Sequence, residues 1–129
     1  MIYSDLEHVM HVASLLILVA CSSPQSSVTP GDAAHGAEIY QSYCVACHQV
    51  DGSGTPQGGT PIAGSFIGEN SVLAQPDETL LRIIAAGKTG RIGAMPGWAG
   101  VLSYQDRLDV LAYLQKNFGP ASEKAAPED

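Results

Sequence analysis

The chain has 129 residues, 45% of them hydrophobic, with 14 Gly, 8 Pro and few aromatics. That is enough for one folded domain and too little for two, and the Gly and Pro content makes it loop-rich. The charge of 6 − 13 = −7, with no basic block anywhere, excludes nucleic-acid binding through phosphate neutralisation and leaves pairing with a basic protein patch open.

The first element in chain order is an apolar run, VASLLILVA, from Val12 to Ala20. It falls well short of the ~20 residues a membrane-spanning helix needs, but it suits the core of a signal peptide. It ends in LVAC, Leu18 to Cys21. That ending resembles the lipobox of bacterial lipoproteins, which implies cleavage before Cys21 and lipid on its sulfur. Asp5 and Glu7 precede Cys21 and no Lys or Arg does, against the usual positive start of such segments. An ordinary secretory signal ending in a chance cysteine is the alternative. Residues 1–20 are therefore expected to be a signal peptide, and residues 21–31 a lipidated cysteine with a Ser/Pro-rich tether. If extended at ~3.1 Å per residue, the tether would hold a domain roughly 30 Å from a membrane. This predicts an exported protein, in the bacterial periplasm or on the cell surface, anchored by lipid.

The folded segment is expected over residues 32–119, followed by a solvated tail, 120–129. Asp32 suits an N-cap, and Gly36, Ile39, Tyr40 and Tyr43 follow at helical spacing, predicting a helix over 32–43. A second helix is predicted over 75–87. Pro76 suits its first turn, Asp77 and Glu78 complement the dipole, and Leu80, Leu81, Ile83 and Ile84 form the apolar face. Gly87 stops it. The third is predicted over 103–118, with Ser103 and Asp106 at capping-box spacing and a buried stripe of Leu108, Val110, Leu111, Tyr113 and Leu114. Two Gly-rich loops, residues 51–65 and 88–100, show no strand alternation. Such long loops are uncommon in a compact domain unless they line something functional. The fold class is thus mostly α, with a core thin enough to call for a large apolar cofactor.

YCVACHQ, Tyr43 to Gln49, carries the chemistry. A structural zinc site wants four N or S ligands, and beyond Cys44, Cys47, His48 and His35 no second pair follows at useful spacing. A redox dithiol places its C-x-x-C at a strand-to-helix junction in a βαβ unit, and no parallel-sheet pattern is present. Haem attachment accounts for every residue of the motif. Cys44 and Cys47 can each add through sulfur to a haem vinyl group, and His48 then presents a neutral imidazole nitrogen to iron.

A second axial position remains. Once residues 1–20 are removed, Met95 is the one methionine left, and Pro96 disposes it to extended backbone in a Gly-rich loop. A thioether there raises the potential and closes the iron for electron transfer, whereas an empty place invites small ligands. Core filling is the ordinary alternative for a methionine. His35 is the rival ligand, but it lies on the helix leading into the motif, and a surface histidine is the better reading.

With Gly36, Tyr40, Cys44 and the stretch AMPGWAGVLSYQDRLDVLAYL in place, residues 32–118 resemble the small class I c-type cytochromes. The resemblance implies the cytochrome c fold, with three main helices and Gly-rich loops around one covalently bound haem c. It implies that Gly36 lies at the crossing of the terminal helices, opposite Val110 and Tyr113. It also implies a backbone carbonyl, at Thr60 or Pro61 and more naturally Thr60, accepting from the second nitrogen of His48. Trp98 is a candidate haem contact beside plain core packing, and Lys88 and Arg91 read as solvated loop charges. The expected function is single-electron transfer between redox partner proteins in a bacterial respiratory or related chain, with no substrate turnover. A haem enzyme or ligand sensor with a labile sixth position, or a cytochrome subunit of a larger oxidase or dehydrogenase, is the alternative.

Overall fold

A computed structural model of the protein describes residues 29–120. Cys21, the expected signal residues, the start of the tether and tail residues 121–129 lie outside them. Among the described residues the domain is mostly α-helical, with four α-helices rather than three: α1 (Ala33–Tyr43), α2 (Val45–His48), α3 (Asp77–Ala86) and α4 (Tyr104–Phe118). A short 3₁₀ turn, Val72–Ala74, precedes α3. No helix among these residues is long and apolar enough to cross a membrane.

The helix ends follow their sequence signals closely. Asp32 caps α1 by accepting from the amides of Ala34 and His35. Ser103 and Asp106 complete a reciprocal capping box on α4, satisfying two of the amides that a helix start leaves bare. Pro76 sits at the N-cap of α3 rather than inside its first turn, and Gly87 ends it in a left-handed conformation, φ 79°.

The terminal helices cross at close quarters, and that crossing is the frame of the molecule. A Cβ at Gly36 would collide with the carbonyl oxygen of Asp109 and with Cβ of Tyr113. Glycine is therefore what lets the two backbones approach. The expected contact with Tyr113 is met, while the backbone contact falls on Asp109, one residue before Val110. Around the crossing, Ile39, Tyr40, Leu80, Ile84, Val110, Leu111 and Leu114 form the core with Leu73, Phe66 and Leu102. Tyr40 and Val110 are its most deeply buried large side chains.

The Gly-rich loops are more ordered than their composition suggests. After the motif, the chain folds back on itself through Gly54 N–H to His48 O (3.1 Å) and through Ile62 N–H and Ala63 N–H, both to Gly54 O (2.9 and 3.1 Å). In the second loop a two-residue antiparallel ladder pairs β1 (Lys88–Thr89) with β2 (Ala94–Met95). The sequence shows no strand there because two residues cannot display an alternation. The following segment lies on the C-terminal end of α3, where Trp98 N–H and Ala99 N–H donate to Ile84 O and Ala85 O.

Candidate functional site

One cavity of about 490 Å³ lies between the core helices and both loops. That volume is within the ordinary range of cofactor pockets, roughly 300–1,000 Å³. Cys44, Cys47, His48, Met95 and Trp98 all line it. Each comes from a different constraint. Cys44 closes α1, Cys47 and His48 lie on the short α2, Met95 is on β2, and Trp98 is hydrogen-bonded down onto α3. The extended backbone expected at Met95 is present, and the ladder pairs Met95 with Lys88.

His48 is held by stacking. Its ring lies on Phe66 at 4.3 Å between centroids with 14° between planes. Burial lowers its pKa below the ordinary 6.5, with an opposing pull from the backbone of Gly64. The imidazole is therefore neutral at physiological pH, the form that binds metals. The contact with Gly64 does not complete a hydrogen bond to Nδ1, which is buried with no partner. A buried polar atom left alone costs about 1–3 kcal/mol, so the ring is poised to gain one.

The expected carbonyl at Thr60 is corrected here. Neither Thr60 nor Pro61 lines the cavity, whereas Ile62, Ala63 and Gly64 do, and the backbone in reach of His48 is that of Gly64. The cause is the double tie of Ile62 and Ala63 to Gly54, which turns the later part of the loop inward.

Cys44 and Cys47 form no disulfide. Burial, with the neighbouring Cys47 adding to it, pushes the Cys44 thiol up to about 11. A redox dithiol needs the opposite shift, toward an available thiolate. The apolar walls, the neutral His48 and the two reachable sulfurs fit a covalently held haem, and Met95 offers a thioether to the same space. Trp98 packs edge-on against Tyr43 at 5.4 Å and so serves both the core and the cavity wall.

The electrostatics of the cavity are one-sided. Lys88 and Arg91 line it and, among the described residues, no Asp or Glu does, in a chain of net charge −7. Both cations are exposed, as expected of loop charges, yet both stand at the cavity, beside the exposed Ile62 and Ile92.

A separate group missed by the sequence reading lies at the helix crossing. His35, Asp106 and Asp109 bring one ligand atom each to within 4.8 Å of one another, a potential metal-binding cluster. None of the three lines the cavity. His35 is half exposed, as expected, but its Nδ1 is 2.7 Å from a carboxylate oxygen of the buried Asp109. Asp109 also accepts from the amide of Asp32 and from Gln105 Nε2, so its carboxylate is fully engaged.

Comparison with known proteins agrees with this geometry. The family model described as cytochrome c oxidase, cbb3-type, subunit III, matches residues 31–114. The chain is 33% identical over 91 residues to the cytochrome c subunit of the quinone alcohol dehydrogenase of Gluconobacter oxydans (strain 621H), covering 65% of this chain and 18% of that protein. It is 29% identical over 111 residues to cytochrome c of Theileria annulata, covering 76% and 96%. It is 38% identical over 71 residues to the cbb3-type cytochrome c oxidase subunit FixP of Bradyrhizobium sp. (strain ORS 278), covering 55% and 22%. The two bacterial subunits are thus much longer than the part this chain spans, whereas the Theileria protein is matched over nearly its whole length. No solved structure matches. The protein is cytochrome c-like, and the chain belongs to the cbb3-type cytochrome c oxidase subunit III family.

Proposed function

We propose that residues 32–119 are a monohaem cytochrome c module that passes single electrons within a larger oxidase or dehydrogenase. The observation that carries this reading is the meeting of Cys44, Cys47, His48 and Met95 at one apolar cavity. Cys44 and Cys47 would hold the haem covalently, while His48 and Met95 would take its axial positions. When bound, the haem supplies reversible one-electron exchange at its iron. The chain keeps His48 neutral by burial and holds its ring plane on Phe66. It presents Met95 from a paired strand rather than a loose loop and lines the cavity with apolar side chains that exclude water. Rigid positioning of both axial side chains suits electron transfer rather than substrate turnover.

The family match and the relatives named as subunits favour membership in a complex over a free-standing carrier. A redox partner within an oxidase or other respiratory assembly is the natural companion, and lipid on Cys21 would hold the module at the outer side of a membrane.

The test is visible absorption of the full chain made in a haem-maturing host, comparing wild type with Met95→Ala. The expected result is covalent haem that survives acid-acetone washing, together with a weak far-red methionine–iron band. The variant should lose that band and have a lower potential. Washed polypeptide without a tetrapyrrole overturns the reading, and an unchanged spectrum removes Met95 as a ligand. Rapid binding of cyanide or carbon monoxide by the wild type would favour the enzyme or sensor instead. Recovery of the protein alone after mild-detergent capture would favour the free carrier.

A further inference from the structure

Gln49, immediately after His48, has φ 62° and ψ 164°. It is the one non-glycine residue at positive φ among those described. That region of backbone space is essentially reserved for glycine and costs a side-chain-bearing residue about 1–3 kcal/mol, so it persists only where the surroundings impose it.

What imposes it here is visible. The hydroxyl of Tyr40 donates to the carbonyl oxygen of Gln49 at 2.6 Å. The amide of Gly52 reaches the same oxygen at a longer 3.3 Å. Tyr40 is also tied to the other end of the motif, because its own carbonyl accepts from the amide of Cys44 at 2.9 Å. One residue therefore holds both ends of Cys44–His48, by its backbone at the first cysteine and by its side chain just past the histidine. Tyr40 is itself immobilised. It is fully buried and packs at 5.1 Å on Tyr113 and 5.8 Å on Phe118, both from α4.

We infer that Tyr40 is a positioning residue for His48: its hydroxyl holds Gln49 in a conformation that only glycine adopts freely, and this fixes where the imidazole stands in the cavity. The inference rests on the proposed role of His48 as an axial ligand. Phenylalanine would fill the same space and supply the same ring contacts, so the hydroxyl is the distinguishing part. A buried tyrosine hydroxyl needs a partner, and here the partner is the one carbonyl whose position sets the exit of the motif.

The experiment uses the full-length, haem-loaded protein as wild type, Tyr40→Phe, Gln49→Gly and the double variant. The first readout is the proton NMR spectrum of the oxidised state, in which the spread of the haem methyl resonances reports the orientation of the axial ligands. Tyr40→Phe is expected to redistribute those resonances, and the double variant to restore them toward the wild-type pattern, since glycine takes the conformation unaided. The second readout is denaturant unfolding. Tyr40→Phe is expected to shift the folded-to-unfolded ratio by about tenfold in the wild-type background and by less than about threefold beside Gln49→Gly. Unmoved resonances in Tyr40→Phe overturn the inference whatever happens to stability, and so does an equal stability loss in both backgrounds. If the wild type carries no covalent haem, the proposed function falls as well. Covalent haem with unmoved resonances removes only the role of Tyr40.

Discussion

At the residue scale, Gly36 and Asp109 show two kinds of determinant. A methyl group at Gly36 would run into the backbone of α4 at Asp109, and backbone cannot step aside as the end of a side chain can. Gly36→Ala is expected to destabilise the domain by roughly 2–3 kcal/mol, the upper part of the range for overpacking a tight site, read as a lower urea midpoint. The place of Gly36 at the crossing was implied by the resemblance to class I c-type cytochromes, carried by the spacing of Gly36, Tyr40 and Cys44. Asp109 was not legible. An acidic residue beside the apolar Val110 and Leu111 reads as solvent-facing, yet it is 4% exposed. It is tolerated because three donors converge on it: Gln105 from one turn earlier on α4, and the Asp32 amide and His35, which only the crossing of α1 and α4 brings there. His48 and its neighbours were plain in the sequence by identity. The partnerless Nδ1 and the stacking on Phe66 depend on a residue 18 positions further on.

At the element scale, the caps and the helix crossing make separate predictions. Ser103→Ala removes one half of the capping box on α4 and should cost about 1 kcal/mol, seen as a lower thermal midpoint. The α1–α4 clamp is pH-dependent. The hydrogen bond with Asp109 raises the pKa of His35 above 6.5. That contribution is complete below pH 6.5 and is lost as pH rises through the folded value. Burial raises the pKa of Asp109, but the hydrogen bonds from His35, Asp32 and Gln105 together outweigh it and hold the carboxyl below the usual 3.8. Its contribution is present above pH 3.8 and is lost as pH falls through the folded value. The clamp is therefore strongest between those two pH values. Because the depressed pKa of His48 contributes the opposite slope, the expectation is read as a difference: the urea-midpoint gap between wild type and His35→Gln should shrink from pH 5.5 to pH 8. The long helices were legible from their periodicity and caps. The four-residue α2 and the two-residue β1 and β2 were not, since elements so short carry no period and exist through contacts made elsewhere.

At the scale of the whole molecule, the feature to explain is a small core built around a cavity of about 490 Å³. On the proposed function, Cys44→Ala with Cys47→Ala would remove covalent attachment of haem while leaving His48 and Met95 in place. The double variant is expected to melt about 10 °C or more below the haem-loaded wild type, because each kcal/mol moves the midpoint of a domain this size by about 4–8 °C. Near-ultraviolet circular dichroism should weaken at the same time as side-chain packing around Tyr43 and Trp98 loosens. The charge pattern sets a docking expectation at this scale. With Lys88 and Arg91 at the cavity and no carboxylate lining it among the described residues, the proposed function predicts that Lys88→Glu with Arg91→Glu slows electron exchange with an acidic partner surface at low salt, and that the difference shrinks as ionic strength rises.

The sequence by itself determined the identity of the chemical groups and the three long helices, since each is written in local spacing or in a side chain with few alternative uses, while the glycine at the crossing followed from the family resemblance. Tertiary structure alone decided which loop segment turns inward to His48, that Asp109 is buried and fully paired, and that Tyr40 reaches across the motif to Gln49. Those outcomes depend on hydrogen bonds and contacts between residues distant in the chain, or, at Tyr40, on a backbone conformation that no local preference of glutamine would select.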